Sequence, residues 1–73
     1  MPIIQMNLIE GRSVEMKRAA VAEITAAVVR TLGVRADQVR IMINEMPSEH
    51  FAVGGETAAM RVEKIQELAK VES

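Results

Sequence analysis

The sequence contains no cysteine, tryptophan or tyrosine, one phenylalanine (Phe51), one histidine (His50) and two prolines (Pro2 and Pro47). Without cysteine there is no disulfide framework and no thiol nucleophile. A single histidine excludes a His-rich metal site. One aromatic side chain cannot form a base-stacking platform for nucleic acid. The formal charge is −1, with 9 Lys and Arg against 10 Asp and Glu and both signs interspersed, so no basic patch marks a nucleic-acid surface. No apolar run approaches the ~20 residues of a bilayer span. The N-terminus lacks the charged and long apolar stretches of a secretory signal. The expected location is therefore the cytoplasm.

What is present is aliphatic. Hydrophobic residues make up 49% of a chain of 73 residues. A chain this short buries only about 60% of the surface its unfolded form exposes, and its own core gives marginal stability. Disulfides, metals or oligomerisation are the usual remedies. The first two have no residues here, so burial between copies is expected.

Residues Ile3 to Ile9 read as a strand, with Ile4, Met6 and Leu8 on one face and Ile3, Gln5, Asn7 and Ile9 on the other. Glu10-Gly11-Arg12 ends it. Ser13 is the expected N-cap of a helix from Val14 to about Leu32. Its capping box is incomplete, because Met16 stands where Glu or Gln would reach back. Ala20, Val21, Ile24, Val28 and Leu32 form its apolar stripe, with Lys17, Arg18 and Arg30 on or near the wet flanks. Gly33 is the natural residue to close it. A polar connection, Arg35 to Gln38, leads to a second strand, Val39 to Met46, which Pro47 ends. Val39, Ile41 and Ile43 share one face of that strand; Arg40, Met42 and Asn44 share the other. Strand, helix and strand at this length predict a β-α-β unit with parallel strands and a right-handed crossover. Pro47 to Gly55 is a loop or small hairpin. A second helix starts near Thr57, with Ala58, Val62, Ile65 and Leu68 at helical spacing. The fold class is α+β, as a single domain over residues 1–73 with 58–73 a helical C-terminal extension.

Pro2 directly follows Met1, and methionine is removed before a small second residue. The product is a secondary amine at the start of a strand. A free α-amino group titrates near about 7.7–8.0. Apolar surroundings and nearby arginines both disfavour the ammonium and shift it toward a base that works near neutrality. Arg12 follows the first strand, and Arg40 lies in the second. A guanidinium beside apolar strand positions needs an anionic partner. Either each pairs with a carboxylate such as Glu10 or Glu45, or the two converge on a dicarboxylate, which the guanidinium fork binds in bidentate fashion. Phe51 is either a plug between subunits or a wall that desolvates Pro2. His50 is read as a surface residue, since nothing in the sequence orients it.

Several blocks occur together in order: Pro2-Ile3-Ile4, Glu10-Gly11-Arg12-Ser13, Val39-Arg40, Asn44-Glu45-Met46 and His50-Phe51-Ala52-Val53-Gly54-Gly55-Glu56. From Pro2 to about Ala59 the chain resembles the 4-oxalocrotonate tautomerase family. The resemblance implies a tautomerase/MIF-like fold, a homohexamer built as a trimer of dimers, and a part in aromatic degradation. It implies keto-enol tautomerisation of a small unsaturated 2-hydroxy or 2-oxo acid such as 2-hydroxymuconate, with no metal or organic cofactor. Pro2 is then the general base. Arg12 holds the far carboxylate, and Arg40, reaching in from another subunit, holds the 2-oxo acid end. Phe51 and Val53 keep the pocket apolar, and Ile9 contributes through its backbone. Asn7 replaces a histidine that some members carry, and the tail from about Met60 exceeds the shorter members.

Two other readings compete. Relatives that hydrate or dehalogenate haloacrylates need a carboxylate to activate water. Ala52-Val53 supplies none, though Glu49 and Glu56 are close in sequence. A non-catalytic oligomer that binds anions through Arg12 and Arg40 is the other.

Overall fold

The alternating apolar pattern of the two strands resolves into one parallel pair. β1 spans Ile3–Ile9 and β2 spans Arg40–Met46. Their register runs without a break from Ile3 opposite Arg40 to Ile9 opposite Met46. The strands are joined by α1, Val14–Leu32, and by a 3-10 turn, Ala36–Gln38. The computed structural model describes residues 1–72, with side chains through residue 69. Ser73 of the expected 58–73 helix lies outside the described residues.

The ends of α1 follow local chemistry. The Ser13 hydroxyl accepts the backbone N–H of Met16 at 3.2 Å, which satisfies one of the free donors of the first turn. Gly33 closes the helix in the left-handed conformation, and its N–H bonds the Val29 carbonyl. Period decides which face α1 turns inward: Lys17, Ala20, Val21, Ile24, Ala27 and Val28 are half-buried. On the sheet Ile4, Met6, Leu8, Ile41 and Ile43 are half-buried on one face by register, and Ile9 and Met46, opposite each other at the sheet end, are half-buried on the other.

Three expectations need correction. Leu32 was read as part of the helix stripe, yet it is 64% exposed; the sheet ends before the last turn reaches it. Lys17 was read as a wet-flank residue, yet it is half-buried and its Nζ contacts Glu45 Oε1 at 2.9 Å. Its aliphatic stem covers the sheet while its charge is met. The second strand also begins one residue later than read, at Arg40.

After Pro47 a 3-10 turn, Ser48–His50, leads to a short hairpin of β3, Ala52–Val53, and β4, Glu56–Thr57. Gly54 and Gly55 join them at φ of 62° and 82°. Two successive positive φ values are what a two-residue type I′ turn requires, so glycine fits at both. α2 follows at once, over Ala58–Glu72. Thr57 sits at the junction: its hydroxyl donates to Glu49 Oε1 at 2.7 Å and accepts the Met60 N–H at 3.1 Å.

No side chain among the described residues is fully buried. The open face of the sheet shows Ile3 and Met42 to solvent at 57% and 46% exposure. Among the described residues no helix is long and apolar enough to cross a membrane.

Candidate active site

β1 carries site residues at both of its ends. Pro2 immediately precedes it and is half-buried. The backbone N–H of Arg40 donates to the Pro2 carbonyl at 3.0 Å. This bond extends the parallel ladder by one step and fixes Arg40 at the same sheet end as Pro2. The Arg40 side chain is exposed, and its Nη1 donates to the Gln38 carbonyl at a long 3.4 Å.

Arg12 occupies the opposite end. Gly11 adopts a φ of 132°, a region nearly closed to side-chain-bearing residues. That turn lets Arg12 fold back so that Nη1 donates to the Ile9 carbonyl at 3.2 Å. Ile9, Arg12 and Phe51 then line one recess of about 250 Å³, together with Asn7, Leu8 and Met46. It combines a guanidinium and a side-chain amide with an aliphatic and aromatic wall. Such a recess can hold an anionic head and exclude water from the carbon skeleton behind it.

The sequence left open whether the arginines pair with acids of their own chain. Glu45 is taken by Lys17 at 2.9 Å. Among the described residues neither Arg12 nor Arg40 has an ion-pair partner. Both guanidinium groups meet only backbone carbonyls and retain free donors.

The predicted site residues thus fall into separate groups. Pro2 and Arg40 share one sheet end, whereas Ile9, Arg12 and Phe51 share the other. Seven residue steps along the strand separate Pro2 from Ile9, about 23 Å at 3.3 Å per residue. Val53 joins neither group: it is 59% exposed on the hairpin and lines a different recess with Ile65 and Leu68. His50 is exposed in the 3-10 turn, and among the described residues its ring has no hydrogen-bond partner.

Sequence reasoning did not assign Asn7, Leu8 or Met46 to the recess. Met46 was within reach of it, because parallel register puts it opposite Ile9. Asn7 was noticed only as a departure from a family pattern. No periodicity marks an exposed amide as a pocket residue.

Comparison with known proteins agrees with this architecture. The family model for tautomerase enzymes matches residues 2–61. The 2-hydroxymuconate tautomerase of Pseudomonas putida is 44% identical over 59 residues, which is 81% of this chain and 94% of that protein. A structure from the 4-oxalocrotonate tautomerase isozymes of Methylibium petroleiphilum superposes with a TM-score of 0.84 at 71% identity, covering 86% of this chain and 98% of the other. A heterohexameric 4-oxalocrotonate tautomerase from Chloroflexus aurantiacus J-10-fl gives 0.77 at 34% identity, over 81% and 95% of the two chains. The β-α-β frame, the hairpin and the extent of these matches lead to one assignment: the chain belongs to the 4-oxalocrotonate tautomerase family and is an isomerase.

Proposed function

We propose that this isomerase interconverts the enol and keto forms of a small unsaturated 2-hydroxy/2-oxo acid such as 2-hydroxymuconate, with the amine of Pro2 as general base. The observation that carries this reading is the pair of guanidinium groups, Arg12 and Arg40, without carboxylate partners among the described residues. An acid with charge at both ends supplies what each lacks. The family match also begins at residue 2, and relatives at 44% and 45% identity are 2-hydroxymuconate tautomerases.

The chemistry is a proton relay without redox change. The Pro2 nitrogen takes the proton of the 2-hydroxyl group. The dienol electrons shift along the chain, the C2–O bond becomes a carbonyl, and the ammonium returns a proton to the distal carbon. Arg40 stabilises charge at the 2-oxo acid end, and Arg12 draws electron density toward the far carboxylate. Ile9 contributes its backbone, and Phe51 and Val53 keep the pocket apolar. This use of Pro2 requires removal of Met1, because with Met1 attached the ring nitrogen is an amide and not a base.

The site is proposed to lie between copies of the chain. A span of about 23 Å is too long for one small acid to bridge Pro2 and Arg12 of the same copy. The chain exposes 5857 Å², whereas a folded monomer of this size exposes roughly 4,500 Å². Its radius of gyration is 17.3 Å, against about 11 Å for a compact chain of this length. A homohexamer in the cytoplasm, one polypeptide of residues 1–73 per subunit, is the assembly we propose. The heterohexameric relative supports the hexameric part of that proposal.

Hydration or dehalogenation of haloacrylates would need a free carboxylate beside the hairpin. Glu49 accepts the Thr57 hydroxyl at 2.7 Å. Glu56 is held by Lys64 at 3.1 Å and by Arg61 at 4.0 Å. Both carboxylates have partners, which favours tautomerisation. The deciding experiment compares Met1-cleaved with Met1-retaining protein, verified by intact mass, in 2-hydroxymuconate turnover. Activity confined to the cleaved form is the expected result, and equal turnover would overturn the amine mechanism.

A further inference from the structure

The α2 helix offers a surface that neither the site nor the family match uses. The match ends at residue 61, whereas α2 continues to Glu72. Val62, Ile65 and Leu68 recur at helical spacing and are 52%, 65% and 62% exposed. Within its own chain α2 meets chiefly the 3-10 turn Ser48–His50 and β4. A helix of 15 residues is marginal in water unless a packed face holds it.

A matching groove lies elsewhere on the chain. Between α1 and β2, Val14, Val21 and Ile43 line an open recess of about 430 Å³, with Lys17, Arg18 and Glu45 around them. Val14 and Val21 are about 10 Å apart along α1, and Val62 and Leu68 are about 9 Å apart along α2. Lys17 and Glu45 neutralise each other. Arg18 has no ion-pair partner among the described residues.

We propose that α2 is a docking arm whose Val62, Ile65 and Leu68 seat in the α1–β2 groove of a second copy, over Val14, Val21 and Ile43. The open sheet face is a poorer seat. Gln5, Asn7 and Asn44 occupy its middle, and an aliphatic stripe laid over them leaves amides unsatisfied. Surface area allows the contact: the chain exposes roughly 1,400 Å² more than a compact monomer, while a standard interface takes about 800 Å² per partner. The arm can therefore add to the contact that completes the site. This inference rests on the proposed assembly but not on the chemistry of Pro2.

The absence of cysteine makes the test clean. Two double variants are prepared, Val14→Cys with Val62→Cys and Val14→Cys with Leu68→Cys, because the direction of the arm decides which end meets Val14. Mild oxidation should link most chains to one another in one double variant, read by intact mass, and leave all three single variants unlinked. Self-linking of Leu68→Cys or Val62→Cys alone would mean that α2 pairs with α2, and the proposal falls. Absence of linkage in both double variants, with sedimentation still showing an oligomer, overturns the arm and leaves the assembly standing. A sedimenting monomer overturns both.

Discussion

Lys17 of α1 holds Glu45 of β2 at 2.9 Å, across the helix–sheet boundary. Glu45 is one of the carboxylates that the sequence offers as a partner for the arginines, and this pair removes it from competition. The consequence reaches the proposed chemistry, because the guanidinium groups on which that chemistry depends keep their donors for a ligand.

The Lys17–Glu45 pair should be worth little to stability but measurable. Both side chains retain some exposure, at 22% and 33%. Exposed or partly exposed pairs contribute about 0.2–1 kcal/mol. A double-mutant cycle of Lys17→Ala and Glu45→Ala, read by urea denaturation at one protomer concentration, should give a coupling in that range. Glu45→Ala should leave substrate affinity unchanged.

Pro2→Ala should fold and assemble as the parent does, since Pro2 contributes only its carbonyl to the sheet and alanine keeps that group. Loss of the ring amine should lower kcat by about 10²- to 10⁴-fold, the usual contribution of a general base. Steady-state kinetics on protein cleaved of Met1 would check this, with thermal unfolding as the control for fold.

Arg12→Ala and Arg40→Ala each remove a charge-assisted contact worth about 1.5–3 kcal/mol. Each should therefore lower kcat/KM by about 10- to 150-fold. Lysine at either position should restore only part, because it loses the planar fork. KM for the dicarboxylate should rise with added salt in the parent and change less in Arg12→Ala, because screening weakens a contact that the variant already lacks.

Gly11→Ala tests how the backbone positions that arginine. At a φ of 132° a β-carbon strains the turn, although the space around it is open. The expected outcome is a rise in KM for the dicarboxylate, with kcat for a monocarboxylic enol acid changed less. Ser13→Ala, one turn further on, should cost about 1 kcal/mol through loss of the N-cap and leave KM near its parent value.

Local chemistry was legible throughout the chain. Ser13 and Gly33 marked α1 because capping depends on neighbours within four residues. The paired glycines at 54 and 55 marked the hairpin because only a positive φ closes it. Leu32 misled because helical period continues past the end of the sheet that gives it meaning. Lys17 misled because a charged side chain enters a boundary only when a partner waits there, and Glu45 is 28 residues away.

The amino-acid order by itself determined the β-α-β frame with parallel strands and the family blocks, since periodicity, caps and turns act over a few residues. It also singled out Pro2, Arg12 and Arg40 as the groups proposed to carry charge and proton. Only the tertiary structure decided the register of β2 on β1, that Lys17 takes Glu45, and that Asn7, Leu8 and Met46 join Ile9, Arg12 and Phe51. Those facts depend on which distant side chains meet once the sheet is paired, and pairing at a distance leaves no local trace in a sequence.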